Sequence, residues 1–145
     1  NMKYAIDRLD VLSPGTAAER WRIVDYKTGG SLVAAEEFED IFNGEYSAKN
    51  LFQLLLYANL LNLDRGMDED VKVSIYEVGR IVSDGEVTPK IGKEKLDGHK
   101  QVNAEFLSRV NGMIEEIFDP MVPFSPAEDE SHCRFCHLHD LCGRN

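Results

Sequence analysis

"WRIVDYKTGG", residues 21–30, decides how this chain is read. Trp21, Ile23 and Val24 make a short apolar strand, yet it closes on Asp25 and Lys27 just before a glycine pair. Side chains alternate across a strand, so Ile23, Asp25 and Lys27 share one face while Val24 and Tyr26 share the other. Upstream, residues 2–12 read as a partner strand, and "SPGTAAER", 13–20, as the connection. Pro14-Gly15 supplies the turn chemistry of a hairpin. In that first strand Ala5, Asp7, Leu9 and Val11 share a face. Both aspartates therefore fall on otherwise apolar faces, where a charge needs a partner or a metal. If Leu12 stands opposite Arg20, Asp7 stands opposite Asp25 at about 5 Å. A one-residue slip would part them.

Two carboxylates that close repel each other unless a cation lies between them. Mg²⁺ suits such a position, because it takes one or two carboxylates and leaves places for water and phosphate oxygens. Lys27 stands about 7 Å further along the same face. Its ammonium is placed to orient an attacking water or to meet charge developing on a phosphate. This is the chemistry of metal-assisted phosphodiester hydrolysis. The plainer alternative is a strand end in solvent, with Asp7 paired to Arg8 or Arg22.

The clearest helix is "NLFQLLLYANLLNL", residues 50–63. It is apolar nearly all round, which predicts burial between layers. Gln53 and Tyr57 interrupt it four residues apart, so they lie on one face. Their partners are either hydrogen-bonding groups of the core or a DNA backbone beside the metal site. A short helix is expected near 34–43 and strands at 71–78 and 80–89, the latter with a turn signal at Asp84-Gly85. An amphipathic helix at 97–118 stops at Asp119-Pro120. The pattern is mixed α/β and reads as one domain over residues 1–145, with the Pro-, Cys- and His-rich stretch 120–145 as its tail.

At 145 residues and 43% hydrophobic, the chain is large enough for a sizeable core. No apolar run approaches the roughly 20 residues of a membrane helix, and no signal-peptide pattern opens the chain. The abrupt Asn1-Met2 start suggests a piece excised from a longer protein. Three cysteines confined to the last 13 residues do not form a disulfide framework, which favours a reducing intracellular compartment. The net charge of −10 by itself argues against nucleic-acid binding. "KIGKEKLDGHK", 90–100, is the one basic-leaning stretch.

"AIDRLD" (5–10), "IVDYKTG" (23–29) and "QLLLY" (53–57), in that order, resemble the motifs of PD-(D/E)XK nucleases. The branch they resemble most is the RecB/AddB-like nucleases. The resemblance implies a restriction-endonuclease-like core, with a central mixed β-sheet flanked by helices and an irregular Cys-rich tail. It implies Asp7 and Asp25 as metal carboxylates for Mg²⁺ or Mn²⁺, the Tyr26 carbonyl as a further ligand, and Lys27 as the catalytic lysine. Gln53 and Tyr57 match a motif associated with DNA contact and support of the active site. Asp10 has the opposite strand parity from Asp7 and reads as structural, paired with Arg8 or Arg22. The family's upstream His- or Glu-bearing helix is absent, which again suggests truncation at the N-terminus. The implied setting is the nuclease of a bacterial helicase–nuclease acting at double-strand breaks, in the nucleoid-associated cytoplasm. The remainder of that polypeptide or a partner subunit would carry the basic DNA channel, and metal ions would offset the site carboxylates.

"HCRFCHLHDLC", 132–142, spaces Cys133, Cys136 and Cys142 as C-x2-C-x5-C, a spacing at which thiolates share one metal centre. The resemblance implies a [4Fe–4S] cluster whose fourth cysteine lies upstream and is absent here. Zn²⁺ with His132, His137 or His139 as fourth ligand is the alternative. Two further readings stay open: a catalytically silent DNA-end-binding or scaffold module, and a small metal-stabilised interaction domain.

Overall fold

A computed structural model describes residues 4–28, 34–42, 46–80, 85–123, 125, 133 and 136–143. They fall into two compact units, residues 1–107 and 108–145. Among the described residues there are two α-helices and strands in two mixed sheets.

The first unit is built on a four-stranded sheet of order β1-β2-β4-β5. β1 (Arg8–Leu12) pairs antiparallel with β2 (Arg20–Lys27), from Arg8 opposite Val24 to Leu12 opposite Arg20. This is the register expected from the hairpin, although β1 starts later than residue 2. β4 (Lys72–Glu77) lies parallel to β2, from Arg22 opposite Lys72 to Lys27 opposite Glu77. A parallel pair needs a crossover, and the chain supplies it with helix α1 (Tyr46–Arg65). β5 (Glu86–Val87) closes the far edge antiparallel to β4. Of the strand expected over 80–89, the described residues show Glu86–Val87; Arg80 ends a 3-10 turn, and 81–84 lie outside the described residues.

The core sits between α1 and the two central strands. Leu51, Leu54, Leu55 and Ala58 on the helix, and Ile23, Val73 and Ile75 on the sheet, are fully buried. Burying such side chains is the dominant stabilising term, and it fixes which face of β2 looks at α1. The exception on the helix is Leu63, which is exposed. A second, small sheet of β3 (Ala34–Ala35), β6 (Lys90–Ile91) and β7 (Glu94–Lys95) flanks the first. Where a short helix was expected near 34–43, the chain instead forms β3 and a 3-10 turn at Phe38–Ile41. Phe42, Phe52 and Phe106 pack together with ring centroids 5.4–5.8 Å apart, tying that turn to α1 and to the start of α2 (Asn103–Phe118).

A polar knot joins the connections at one end of the sheet. Arg20 pairs with Asp70 at 2.9 Å and with Asp97 at 2.6 Å. The Val71 and Lys100 backbone N–H groups donate to His99 Nδ1 and Asp70 Oδ1. His99 is fully buried, and burial is the main cause that depresses its pKa.

The second unit holds the C-terminal part of α2 and the turns of the tail. Here α2 shows the amphipathic stripe expected from its sequence, with Met113, Ile114, Ile117 and Phe118 exposed. The helix begins at Asn103 rather than 97, because a 3-10 turn at His99–Gln101 precedes it.

Candidate active site

The strand pairing brings the two aspartates together. Asp7 lies one step beyond the β1–β2 ladder, at the position facing Asp25. Its carboxylate accepts the Tyr26 backbone N–H at 2.9 Å, which anchors the segment entering β1. The two acids differ in environment: Asp7 is exposed, whereas Asp25 is only 5% exposed. Asp7 thus departs from the apolar setting expected of its strand face, because β1 is an edge strand.

Asp25 Oδ2 lies 2.7 Å from Lys27 Nζ. This contact is electrostatic, since Oδ2 is buried and has no well-directed hydrogen bond. A buried carboxylate oxygen with no directed donor is poised for another cation. Lys27 Nζ also donates weakly to Gln53 Oε1 at 3.5 Å, and Gln53 Nε2 donates to Tyr57 Oη at 2.9 Å. β2 and α1 thus bring Asp25, Lys27, Gln53 and Tyr57 into one line, next to Asp7.

The opposite face of the sheet has a different task. Asp10 accepts from Arg8 at 2.8 Å and from Arg22 at 2.6 Å, so both partners expected for it are used. Hydrogen bonding from Arg8 is the largest influence holding the Asp10 carboxyl below the usual carboxylate range. Arg22 continues to Glu86 at 3.0 Å, which also meets Lys72 and Ser74. This network locks all four strands in register and leaves Asp10 without a role at the metal position.

The donor set fits a hard divalent cation. It offers two carboxylates at facing strand positions, one with an oxygen that lacks a directed donor, and the Tyr26 main chain between Asp25 and Lys27. Among the described residues no three His, Cys, Asp or Glu side chains converge on one point. Such a cation would complete its shell with water and substrate oxygens, which is the habit of Mg²⁺.

In the tail, Cys133 and Cys136 are half-buried and Cys142 is exposed. The Leu138 N–H donates to Cys136 Sγ at 3.4 Å. His139 uses Nδ1 on the Cys136 carbonyl and Nε2 on Asp140, so both its ring nitrogens are engaged. His137 is exposed, and His132 lies outside the described residues.

Two residues near the site were not singled out from sequence. Glu77 is the register partner of Lys27 and is 6% exposed; its signal was an acid closing strand 71–78, as Asp25 and Lys27 close theirs. Tyr4, three residues before Asp7, packs its ring on Tyr57. No periodicity marks it, because the contact crosses from a coil segment to a helix.

The family model of the PD-(D/E)XK nuclease superfamily matches residues 3–143. This chain belongs to that superfamily. Comparisons with curated proteins and with solved structures return no match. As a PD-(D/E)XK protein it is a nuclease by class, a hydrolase acting on nucleic acid, and its sheet and helices form the restriction-endonuclease-like fold. Divalent metals such as Mg²⁺ are the superfamily's typical cofactors.

Proposed function

We propose that the chain is a DNA nuclease whose chemistry is carried by Asp7, Asp25 and Lys27, with Gln53 and Tyr57 on the substrate. The observation that carries this reading is the ion contact of buried Asp25 with Lys27, in line with Gln53 and facing Asp7. Asp7, Asp25 and the Tyr26 carbonyl would hold Mg²⁺ or Mn²⁺. Bound there, the cation supplies positive charge against the phosphate and water of lowered pKa. Asp25, buried and unable to turn to bulk water, holds its carboxylate in a fixed direction. Lys27 presents a hydrogen-bond donor that orients the attacking water or meets the oxygen gaining charge. Gln53 keeps the Lys27 ammonium aimed along the strand, and Tyr57 offers its hydroxyl to the DNA backbone.

The acidic chain limits affinity for DNA, because phosphate contacts normally need a basic surface. This supports a reading in which the chain is one nuclease domain, tail included, that works beside the basic channel of a helicase–nuclease. Its place would then be the bacterial cytoplasm at the nucleoid, resecting ends in double-strand-break repair as an exonuclease. The tail cysteines, of which Cys136 already accepts the Leu138 N–H, would hold an iron–sulfur cluster or Zn²⁺.

End-labelled linear DNA and closed-circular DNA, each incubated with the chain and Mn²⁺, test the reading. Degradation of the linear DNA alone supports an exonuclease. Cutting of the circle makes it an endonuclease. Binding of ends without cleavage of either makes it a silent end-holding module.

A further inference from the structure

The hydrogen bonds from Lys27 to Tyr57 run in one direction. Lys27 Nζ donates to Gln53 Oε1, and Gln53 Nε2 donates to Tyr57 Oη. The Tyr57 oxygen is thereby occupied as an acceptor, while its own O–H finds no acceptor among the described residues. Donor chains of this kind strengthen their last member. What remains to be fixed is the direction in which that hydroxyl points.

A tyrosine ring on a helix is held by Gln53 at its oxygen and by whatever packs on its face. Tyr4 supplies the second restraint: its ring lies 6.1 Å from the Tyr57 ring, tilted by 40°. Such a geometry is in the favourable range for aromatic pairs. Tyr4 does not compete for the Tyr57 hydroxyl, because its own hydroxyl lies beside Asp64, two turns further along the same helix. Burial first, and then the Asp64 charge, raise the Tyr4 pKa, so it remains a neutral phenol at physiological pH.

We propose that Tyr4 is a positioning residue of this nuclease, acting through Tyr57 by holding its ring so that the hydroxyl faces the substrate strand. The inference rests on the reading of Gln53 and Tyr57 as substrate-facing groups. Tyr4 touches neither the substrate nor the reacting atoms. It also belongs to the segment that delivers Asp7, so its effect through Tyr57 has to be separated from any effect through Asp7.

A double-mutant cycle makes that separation. Rates of Mn²⁺-dependent DNA cleavage are measured for the wild type, Tyr4→Leu, Tyr4→Phe, Tyr57→Phe and Tyr4→Leu/Tyr57→Phe. Loss of the ring contact is expected to lower kcat by about three- to tenfold, with KM little changed. Tyr4→Phe keeps the ring and retains most of the rate. In the Tyr57→Phe background, where no hydroxyl remains to aim, Tyr4→Leu changes kcat by less than about twofold. An equal loss in both backgrounds would overturn the proposal by assigning the effect to Asp7 or to folding. A Tyr4→Phe variant as damaged as Tyr4→Leu would overturn it too. Thermal melts accompany each variant, and Tyr4→Met replaces Tyr4→Leu in the cycle if the latter does not fold. A wild type that does not cleave fails the nuclease reading and this proposal with it. A cleaving wild type matched by Tyr4→Leu fails this proposal alone.

Discussion

Replacing Lys27 by methionine keeps the aliphatic stem but removes the charge that faces a buried acid. Asp25 has a side-chain exposure of 8% and Lys27 of 24%, at 2.7 Å from each other. Removing one partner of a fully buried pair costs about 3–5 kcal/mol, since the remaining charge is stranded. Water reaches Lys27, so its charge is partly screened, and about 1–3 kcal/mol is the appropriate range here. For a chain of this length that corresponds to a fall of about 3–10 °C in Tm. The double variant Asp25→Asn/Lys27→Met has no stranded charge and should recover most of the loss. Mn²⁺ should raise the Tm of Lys27→Met by more than that of the wild type, because the added cation meets the same carboxylate. Thermal melts and urea unfolding, with and without Mn²⁺, read these differences. A Lys27→Met variant as stable as the wild type, or a double variant less stable than the single, would refute the reasoning.

Gly98→Ala should destabilise by about 1–3 kcal/mol, read as a lower urea midpoint, because a Cβ there overlaps the Asp70 carboxylate that Arg20 and Lys100 hold. Backbone strain is not the reason, since Gly98 is in an extended conformation. The His99 pKa lies below 6.5 in the folded chain, with Asp70, Asp68 and Lys100 facing it. The unfolded state therefore binds more protons just below that pH, so stability is complete above about pH 6.5 and declines on acidification. Asp10, Asp68 and Glu86, whose carboxyls are depressed, lose their contributions only at lower pH. A urea midpoint flat between pH 7.5 and 5.5 (about one unit either side of 6.5) would contradict this for His99. Anaerobic reconstitution with iron and sulfide should give the tail a visible charge-transfer band that Cys136→Ser loses; zinc uptake without the band would select the other metal.

The hairpin was legible because its determinants are local. Pro14-Gly15 marks the turn, and alternation along 21–27 assigns Asp25 and Lys27 to one face. The helix of Gln53 and Tyr57 was legible from its apolar run, and α1 extends it to Tyr46–Arg65. Asp10 followed from strand parity alone, and the structure pairs it with both arginines. The two-residue strands of the second sheet carry too few side chains for any period to show. The insertion of β4 beside β2 depends on pairing across 50 residues, which no local pattern encodes. That pairing is what sets Glu77 opposite Lys27. The buried His99 was likewise invisible, since its ring meets Val71 and Asp70, almost thirty residues earlier in the chain.

The most direct test is Mn²⁺-dependent cleavage of end-labelled linear DNA by the wild type and Lys27→Ala, with DNA binding measured in parallel in Ca²⁺. The account predicts that Lys27→Ala keeps DNA binding while its cleavage rate falls by about a hundred- to thousandfold. Equal cleavage rates for the two proteins would contradict it.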